Sequence, residues 1–328
     1  MVKEISERIK LLSVVCTLFV IYRHSYTCLA FYGQLVQPDG YNNSIQEFFS
    51  LFTQVAVPFF FIVSGYFFAK YNYYHHGEYM KMVKKKWKTL IIPFLLWNII
   101  CIPFYLIKYK SELDTGTIML AFIKADSPLW YVRDLILFML LSLLYYWLTE
   151  KRWIVLQVMV LGILAWMWLP VDSSVLSSEG MFFFFLGILL NKHDVRLNYN
   201  PNITVIISFL TIWIFLCVFP EYASNLAIMK MRTILGLLSI WFMSYYIKGN
   251  IKDYLLSISK YSFFIYAGHF YIVKIIKYQI GYVFFGNELA ACFSFLFVPV
   301  VTFYILLVIS KLLERIQPKV YNYLTGGR

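Results

Sequence analysis

The sequence predicts an all-α polytopic membrane protein, a single bundle of about ten transmembrane helices with both termini in the cytoplasm. Composition is the first indication: 61% of the 328 residues are apolar (AVILMFWYC) and 14% are charged, whereas soluble domains have roughly 45–50% and 25%. The apolar residues also fall in long runs, and lysine and arginine collect in alternate loops. A soluble protein needs more polar surface, and a disordered chain has few aromatic residues.

The apolar runs define the spans, because a bilayer core of roughly 30 Å takes about 20 apolar residues as a helix. The predicted spans are 11–33, 45–69, 89–107, 128–149, 153–170, 180–191, 203–219, 230–247, 262–281 and 289–311. The run 180–191 is short, and we expect its helix to start further back, through Ser177 and Ser178. The first run has about 22 residues and no small-residue cleavage site follows it, so we interpret it as a retained signal anchor.

The 29 lysines and arginines indicate the orientation of these spans. With the N-terminus inside, most of them fall in inside segments, at 1–10, 70–88, 150–152, 192–196, 248–260 and 311–328. The outside loops hold few, namely Lys108, Lys110, Lys124, Lys230 and Arg232. By the positive-inside rule both termini lie in the cytoplasm. Most of the net charge of +12 therefore records topology, and we do not expect nucleic-acid binding.

Two histidines lie inside predicted spans. His24 stands towards the outer end of the first span, where an imidazole can act as a general base or simply bond to a neighbour. His269 lies in the ninth span, and Ser262, Tyr266 and His269 are spaced four and three apart, so they share one helix face. This polar stripe is expected to face protein, either as interhelical hydrogen bonds or as part of a site.

Charged residues in other spans have two interpretations each. Arg133 and Asp134 open the fourth span, either as an ion pair near the interface or as the polar floor of a site that opens outward. Lys274 and Lys277 lie towards the outer end of the ninth span, where we expect both ammonium groups to snorkel to the interface.

The second span ends in VPFFFIVSGYFFAK, and a dense basic run, KMVKKKWKTLIIP, precedes the third. Ser64 and Gly65 allow close helix packing, and Tyr66 adds a polar tip. The lysines around Lys85 and Lys88 either set topology and bind anionic lipid, or dock a cytoplasmic polyphosphate.

Other chemistries lack their motifs. The sequence has no Walker A loop, G-x-G-x-x-G, H-E-x-x-H or G-x-S-x-G. The five cysteines lie in apolar stretches without a C-x-x-C pair, so neither a disulfide framework nor a metal site is expected.

These motifs, in this order, resemble the acyltransferase 3 family of integral-membrane O-acyltransferases. The resemblance runs from about residue 5 to 315 and rests on the combination rather than on any one motif. The matching segments are FVIYRHS, VPFFFIVSGYFF, KKKWKTLIIPFLLW, SPLWYVRDLILF, FFFFLGILL and SKYSFFIYAGHF. We therefore expect residues 1–328 to form a single acyltransferase-3-like transmembrane domain.

The resemblance implies transfer of an acyl group, often acetyl, from coenzyme A to a glycan hydroxyl across the bacterial cytoplasmic (inner) membrane. It implies that His24 is catalytic and that Lys85 and Lys88 bind acyl-CoA. Many members carry arginine eleven residues before the histidine, where this chain has Ser13. Lys10, one turn away on nearly the same face, is our candidate for the missing cation, whereas Arg8 would point roughly the opposite way.

The expected partners are acyl-CoA, a glycan or lipid-linked glycan, and membrane lipids, with acetyl-CoA as co-substrate and no bound cofactor. His24 would act as a general base on the hydroxyl, or become transiently acylated. The remaining residues of the expected polar or acceptor site are Ser64, Tyr66, Arg133, Asp134, Tyr266 and His269. A multi-span transporter or flippase of a lipid-linked sugar is the alternative, although no internal repeat is visible.

Overall fold

The computed structural model describes residues 2–25, 41–70, 76–108, 129–148, 177–192, 201–223, 225–283 and 288–327, with single positions 159, 162, 197 and 199. Every regular element among these residues is helical, and none is a strand. The prediction of an all-α fold is therefore confirmed. The chain divides into two compact units, a first unit of Met1–Phe59 with Arg196–Leu312 and a second unit of Phe60–Val195 with Leu313–Arg328.

Thirteen α-helices can be traced in the described part of the chain. They are α1 Val2–Ser25, α2 Tyr41–Phe52, α3 Ala56–Phe68, α4 His76–Lys86, α5 Ile92–Lys108, α6 Trp130–Leu148, α7 Ser178–Lys192, α8 Ile203–Val218, α9 Leu226–Met243, α10 Gly249–Ile258, α11 Ser262–Val283, α12 Glu288–Ile316 and α13 Pro318–Thr325. Single 3₁₀ turns stand at Thr53–Val55, Pro220–Ala223, Ser244–Tyr246 and Ser259–Tyr261, and a π-helical turn at Trp87–Ile91.

Four continuous helical stretches of the described residues are long and apolar enough to cross a membrane. They are Ser44–Phe68, Gly77–Pro103, Leu226–Tyr246 and Cys292–Ile316. The protein is therefore a helical membrane protein. The count of about ten spans, the cytoplasmic termini and the single domain stay predictions, and the expected span 153–170 lies almost wholly outside the described residues.

In the first unit, α1 packs along α11 and against the turn Thr53–Val55. Aromatic side chains hold the C-terminal end of α1 in place. The Tyr22 ring stacks on Phe49 at a centroid distance of 5.0 Å and meets Phe295 edge-on at 6.0 Å. The Tyr22 hydroxyl also donates a 2.9 Å hydrogen bond to the Leu296 carbonyl. Tyr22 thereby fixes α2 and α12 against the end of α1 that carries His24.

The position of Arg232 corrects the sequence analysis, which placed it in an outside loop. The Asn225 side chain accepts a 2.8 Å hydrogen bond from the Ala227 N–H and caps α9, so the helix starts at Leu226. Arg232 is consequently two turns inside the helix and only 2% exposed. Its burial is possible because the guanidinium donates to the Gln54 amide oxygen at 2.8 Å.

In the second unit, α3 and α7 approach each other at glycine. A Cβ at Gly65 would overlap the Phe184 carbonyl oxygen, and a Cβ at Gly187 would overlap that of Ile62. Small residues allow backbones to pack this closely between membrane helices. The Ser177 hydroxyl caps α7 by accepting from the Gly180 N–H at 2.9 Å, which agrees with the expected earlier start of that helix.

Candidate functional site

His24 lies in the last turn of α1 and packs against α11. Its ring centroid is 5.0 Å from that of His269 and 5.3 Å from that of Phe270, which stands nearly perpendicular to it. The His24 side chain is partly exposed. Among the described residues, no hydrogen bond reaches its ring. Packing against α11 thus holds the imidazole in place.

His269 is fully buried beside it. Its Nδ1 lies within hydrogen-bonding distance of the Tyr266 carbonyl, one turn back in α11. A carbonyl oxygen only accepts, so Nδ1 carries a proton, and Nε2 of the neutral ring carries the lone pair. Nε2 has no hydrogen-bond partner in the described part of the chain.

The predicted polar stripe of α11 faces protein. Ser262 and Tyr266 are each 7% exposed, and His269 is 0% exposed. The Tyr266 ring lies 5.9 Å from the His269 ring. The stripe therefore meets α1 at its His24 end, and its role in acceptor binding stays a prediction.

The two lysines of α11 behave differently from each other. Lys274 places its ammonium 3.8 Å from the ring centroid of Phe270. Lys277 was expected to snorkel, but this was wrong: it is 3% exposed, and its ammonium donates to the His24 carbonyl at 3.4 Å. The reason is that the last carbonyls of α1 have no intrahelical partner, and a cation satisfies one of them.

Lys10 and Arg8, the two cations considered for the donor side, lie in the N-terminal half of α1 and differ in their surroundings. Lys10 is exposed, and the Ser13 hydroxyl bonds to the Ile9 carbonyl within the helix. Arg8 is 4% exposed, its guanidinium lies 5.3 Å from the Trp241 ring and 5.2 Å from the Tyr245 ring, and its burial lowers its pKa. Arg8 is therefore held against two aromatic rings, whereas Lys10 is exposed. Binding of acyl-CoA by Lys10 stays a prediction.

A cleft of about 200 Å³ opens beside Arg8. Charges of both signs line it, including Glu4, Glu7, Lys248 and Lys252. Glu7 and Lys252 form a 2.8 Å ion pair. The hydrogen bond from Lys252 holds the pKa of the Glu7 carboxyl below its ordinary value.

In the second unit, Ser64 and Tyr131 form a polar contact between α3 and α6. Their hydroxyl oxygens are 2.9 Å apart, and the Tyr131 hydroxyl also donates to the Phe60 carbonyl at 3.0 Å. Tyr66, two residues further along α3, is half-buried and contacts Phe67. Tyr131 was not singled out by the sequence analysis, because a tyrosine near a span end is usually part of the aromatic belt.

Arg133 and Asp134 form an ion pair at the start of α6, as one of the two interpretations anticipated. Nε and Nη2 of Arg133 lie 2.9 Å and 2.8 Å from Oδ1 of Asp134. The other carboxylate oxygen accepts from the Ser177 N–H at 3.0 Å, and the Asp134 side chain is 0% exposed. The carboxylate thus ties α6 to the start of α7, and acceptor binding by the pair stays a prediction.

The basic segment runs from the end of α4 into α5. Lys85 and Lys88 are both exposed, and Lys88 lies in the π-helical turn Trp87–Ile91. Such turns occur frequently at functional sites. Helix α13 packs against α5. The Trp97 indole of α5 donates a 3.0 Å hydrogen bond to the Leu324 carbonyl of α13.

The two imidazoles of the first unit, His24 and His269, are groups that can take part in acid–base chemistry. The described residues contain no group of three His, Cys, Asp or Glu side chains arranged to hold a metal ion. What they offer is a partly exposed imidazole packed against a buried neutral one, with ammonium groups nearby.

Comparisons with known proteins agree with the sequence resemblance. The profile of the acyltransferase domain family, acyltransferase 3, matches residues 7–310. The succinoglycan biosynthesis protein ExoH of Rhizobium meliloti (strain 1021) is 25% identical over 312 residues, covering 85% of this chain and 80% of that protein. No solved structure matches the chain.

Proposed function

Because the chain belongs to the acyltransferase 3 family and is an acyltransferase of non-aminoacyl groups, we propose that it moves an acetyl or similar acyl group from cytoplasmic acyl-CoA to a glycan. The acceptor is a hydroxyl of an extracytoplasmic polysaccharide or lipid-linked glycan, and the membrane is a bacterial inner membrane. The name of the Rhizobium relative, a succinoglycan biosynthesis protein, supports a polysaccharide acceptor.

The observation that carries the proposal is the partly exposed imidazole of His24. It lies in a helix end that is fixed by Tyr22, Phe270 and Lys277, and its ring is hydrogen-bonded to none of the described residues. A general base must be held in place and keep a free nitrogen, and such a base contributes about 10²–10⁴ in rate.

In this mechanism a His24 nitrogen takes the proton of the glycan hydroxyl as its oxygen attacks the thioester carbonyl. The carbon–sulfur bond breaks, and the thiolate of coenzyme A receives the proton. In an alternative route, His24 itself attacks the thioester and becomes acylated, and the acyl group moves to the glycan hydroxyl in a second step. Holding both reactants in reacting geometry supplies a further large part of the acceleration.

The charged and polar residues have separate proposed roles. Lys10, Lys85 and Lys88 are exposed ammonium groups that bind the phosphates of acyl-CoA. The proposed acceptor or polar site comprises hydroxyl, imidazole and ion-pair groups, namely Ser64, Tyr66, Arg133, Asp134, Tyr266 and His269.

Mass spectrometry of envelope glycans tests the proposal. A deletion strain is expected to lose an acyl adduct from one glycan, and the wild-type gene restores the adduct whereas a His24→Ala gene does not. Unchanged acylation in the deletion strain would contradict the proposal. A glycan that is missing altogether, rather than unacylated, would indicate a flippase of lipid-linked sugars.

A further inference from the structure

The two imidazoles of the first unit form a pair that the helices hold in place. The His24 and His269 ring centroids are 5.0 Å apart and their planes are inclined by 48°. At this separation, small rotations of the side chains bring a nitrogen of each ring to a hydrogen-bond distance of about 2.7–3.2 Å. The pair joins the last turn of α1 to the second turn of α11.

The hydrogen bonding of His269 gives its two nitrogens different roles. Nδ1 donates to the Tyr266 carbonyl, which fixes the tautomer of the neutral ring. Nε2 is then an acceptor, and it is buried without a hydrogen-bond partner among the described residues. Buried acceptors are normally satisfied, so an N–H donor is expected to occupy this one during function.

We propose that His269 is a positioning residue for His24. Its Nε2 accepts the N–H of the His24 ring, and the other His24 nitrogen is thereby left with its lone pair towards the acceptor hydroxyl. Nucleophile and base systems commonly use a third group in this way to orient the base. The inference rests on the proposed function, in which His24 is the base.

The proton balance leaves His269 unchanged through the reaction. His24 takes the hydroxyl proton as the oxygen–carbon bond forms, and it returns that proton to the sulfur as the carbon–sulfur bond breaks. Meanwhile the His24 N–H stays hydrogen-bonded to Nε2 of His269. The proton on Nδ1 of His269 stays on that nitrogen, which keeps donating a hydrogen bond to the Tyr266 carbonyl.

A purely structural role for His269 would depend on Nδ1, whereas the positioning role depends on Nε2. Two amide substitutions separate these nitrogens. In His269→Asn the shorter amide reaches the Nδ1 position and can donate to Tyr266. In His269→Gln the longer amide places an oxygen acceptor at the Nε2 position.

The test measures coenzyme A release by wild type and both variants in nanodiscs, with acetyl-CoA and envelope polysaccharide from the deletion strain as substrates. We expect His269→Asn to lower kcat about 10²-fold with both KM values within about twofold of wild type. We expect His269→Gln to keep kcat within about tenfold. A His269→Asn enzyme that is as fast as His269→Gln, or faster, would overturn the inference.

A second readout needs no turnover. Diethyl pyrocarbonate acylates the lone-pair nitrogen of a neutral imidazole, so its rate of reaction at His24, followed by peptide mass spectrometry, reports the orientation of that nitrogen. Wild type and His269→Gln are expected to react alike and His269→Asn several-fold more slowly. Equal rates in all three would overturn the pairing. If the rates follow this order but wild type releases no coenzyme A, the proposed function fails and the pairing stands.

Discussion

The amide oxygen of Gln54 accepts a 2.8 Å hydrogen bond from the guanidinium of Arg232. Gln54 lies in the 3₁₀ turn between α2 and α3, and α1 packs against that turn. Arg232 is 2% exposed in α9. A buried cation therefore braces an irregular turn of the first unit, next to the helix that carries His24.

Replacing the acceptor of this hydrogen bond should destabilise the protein. Gln54→Leu leaves the buried Arg232 guanidinium without the amide oxygen, and hydrogen bonds to charged groups contribute about 1.5–3 kcal/mol. We expect a loss of that size in SDS titrations followed by tryptophan fluorescence. Met231→Leu is the control, because Met231 is next to Arg232 in the chain and is 49% exposed. Its free energy of unfolding should change little. Equal stability of the two variants would contradict the bracing role.

The glycine contacts between α3 and α7 predict a strong effect of one methyl group. Gly65→Ala and Gly187→Ala place a Cβ on opposing backbone carbonyls. We expect each to cost about 1–3 kcal/mol, because backbone atoms cannot move aside as a side chain can. Gly77→Ala is the matched control in α4, since its Cβ meets nothing within 4 Å. Thermal unfolding of the three variants checks this, and a loss at Gly77 equal to that at Gly65 would argue against close helix packing.

Substitutions of Arg8 and Lys10 in α1 should separate an effect on stability from an effect on donor binding. Arg8→Gln removes the stacking on Trp241 and Tyr245, and cation–π contacts of this kind are worth about 0.5–2 kcal/mol. Lys10→Gln should leave stability unchanged and raise the KM for acetyl-CoA several-fold. Thermal unfolding and coenzyme A release on both variants provide the comparison. The assignment of Lys10 is wrong if only Arg8→Gln affects that KM.

The ion pair of α6 predicts an asymmetry between its two partners. Arg133→Met leaves the fully buried Asp134 carboxylate without its cation, which costs about 3–5 kcal/mol for a buried pair. Asp134→Asn keeps an oxygen that can still accept from the Ser177 N–H, so its loss should be smaller. Unfolding of both single variants and the double variant measures the coupling. A larger loss in Asp134→Asn than in Arg133→Met would show that the cation matters less than this geometry indicates.

Helix positions were largely predictable because hydropathy and capping are local properties. The predicted span 203–219 corresponds to α8 at Ile203–Val218, which Asn202 caps. The start of α9 was placed four residues late, because Lys230 and Arg232 suggest a loop. The capping residue Asn225 was the signal that would have moved it, since asparagine is a preferred helix N-cap.

The sequence singles out the residues of the candidate site but does not predict the contacts between them. His24 and His269 stand out as ionisable residues in apolar runs, which mark functional positions in membrane helices. Their pairing depends on how α1 packs on α11, and hydropathy carries no information about that. The burial of Lys277 was missed for the same reason, because snorkelling and helix capping place the same lysine in different directions.

The most direct test of the account is coenzyme A release by purified His24→Ala protein in nanodiscs, with acetyl-CoA and polysaccharide from the deletion strain. Lys274→Gln, a nearby α11 substitution that removes a cation from the Phe270 ring, is the matched control for folding. We expect wild type to release coenzyme A only when polysaccharide is present, and His24→Ala to lose at least about 10²-fold of that rate. A His24→Ala protein that folds like wild type and turns over at the same rate would contradict the assignment of His24 as the base.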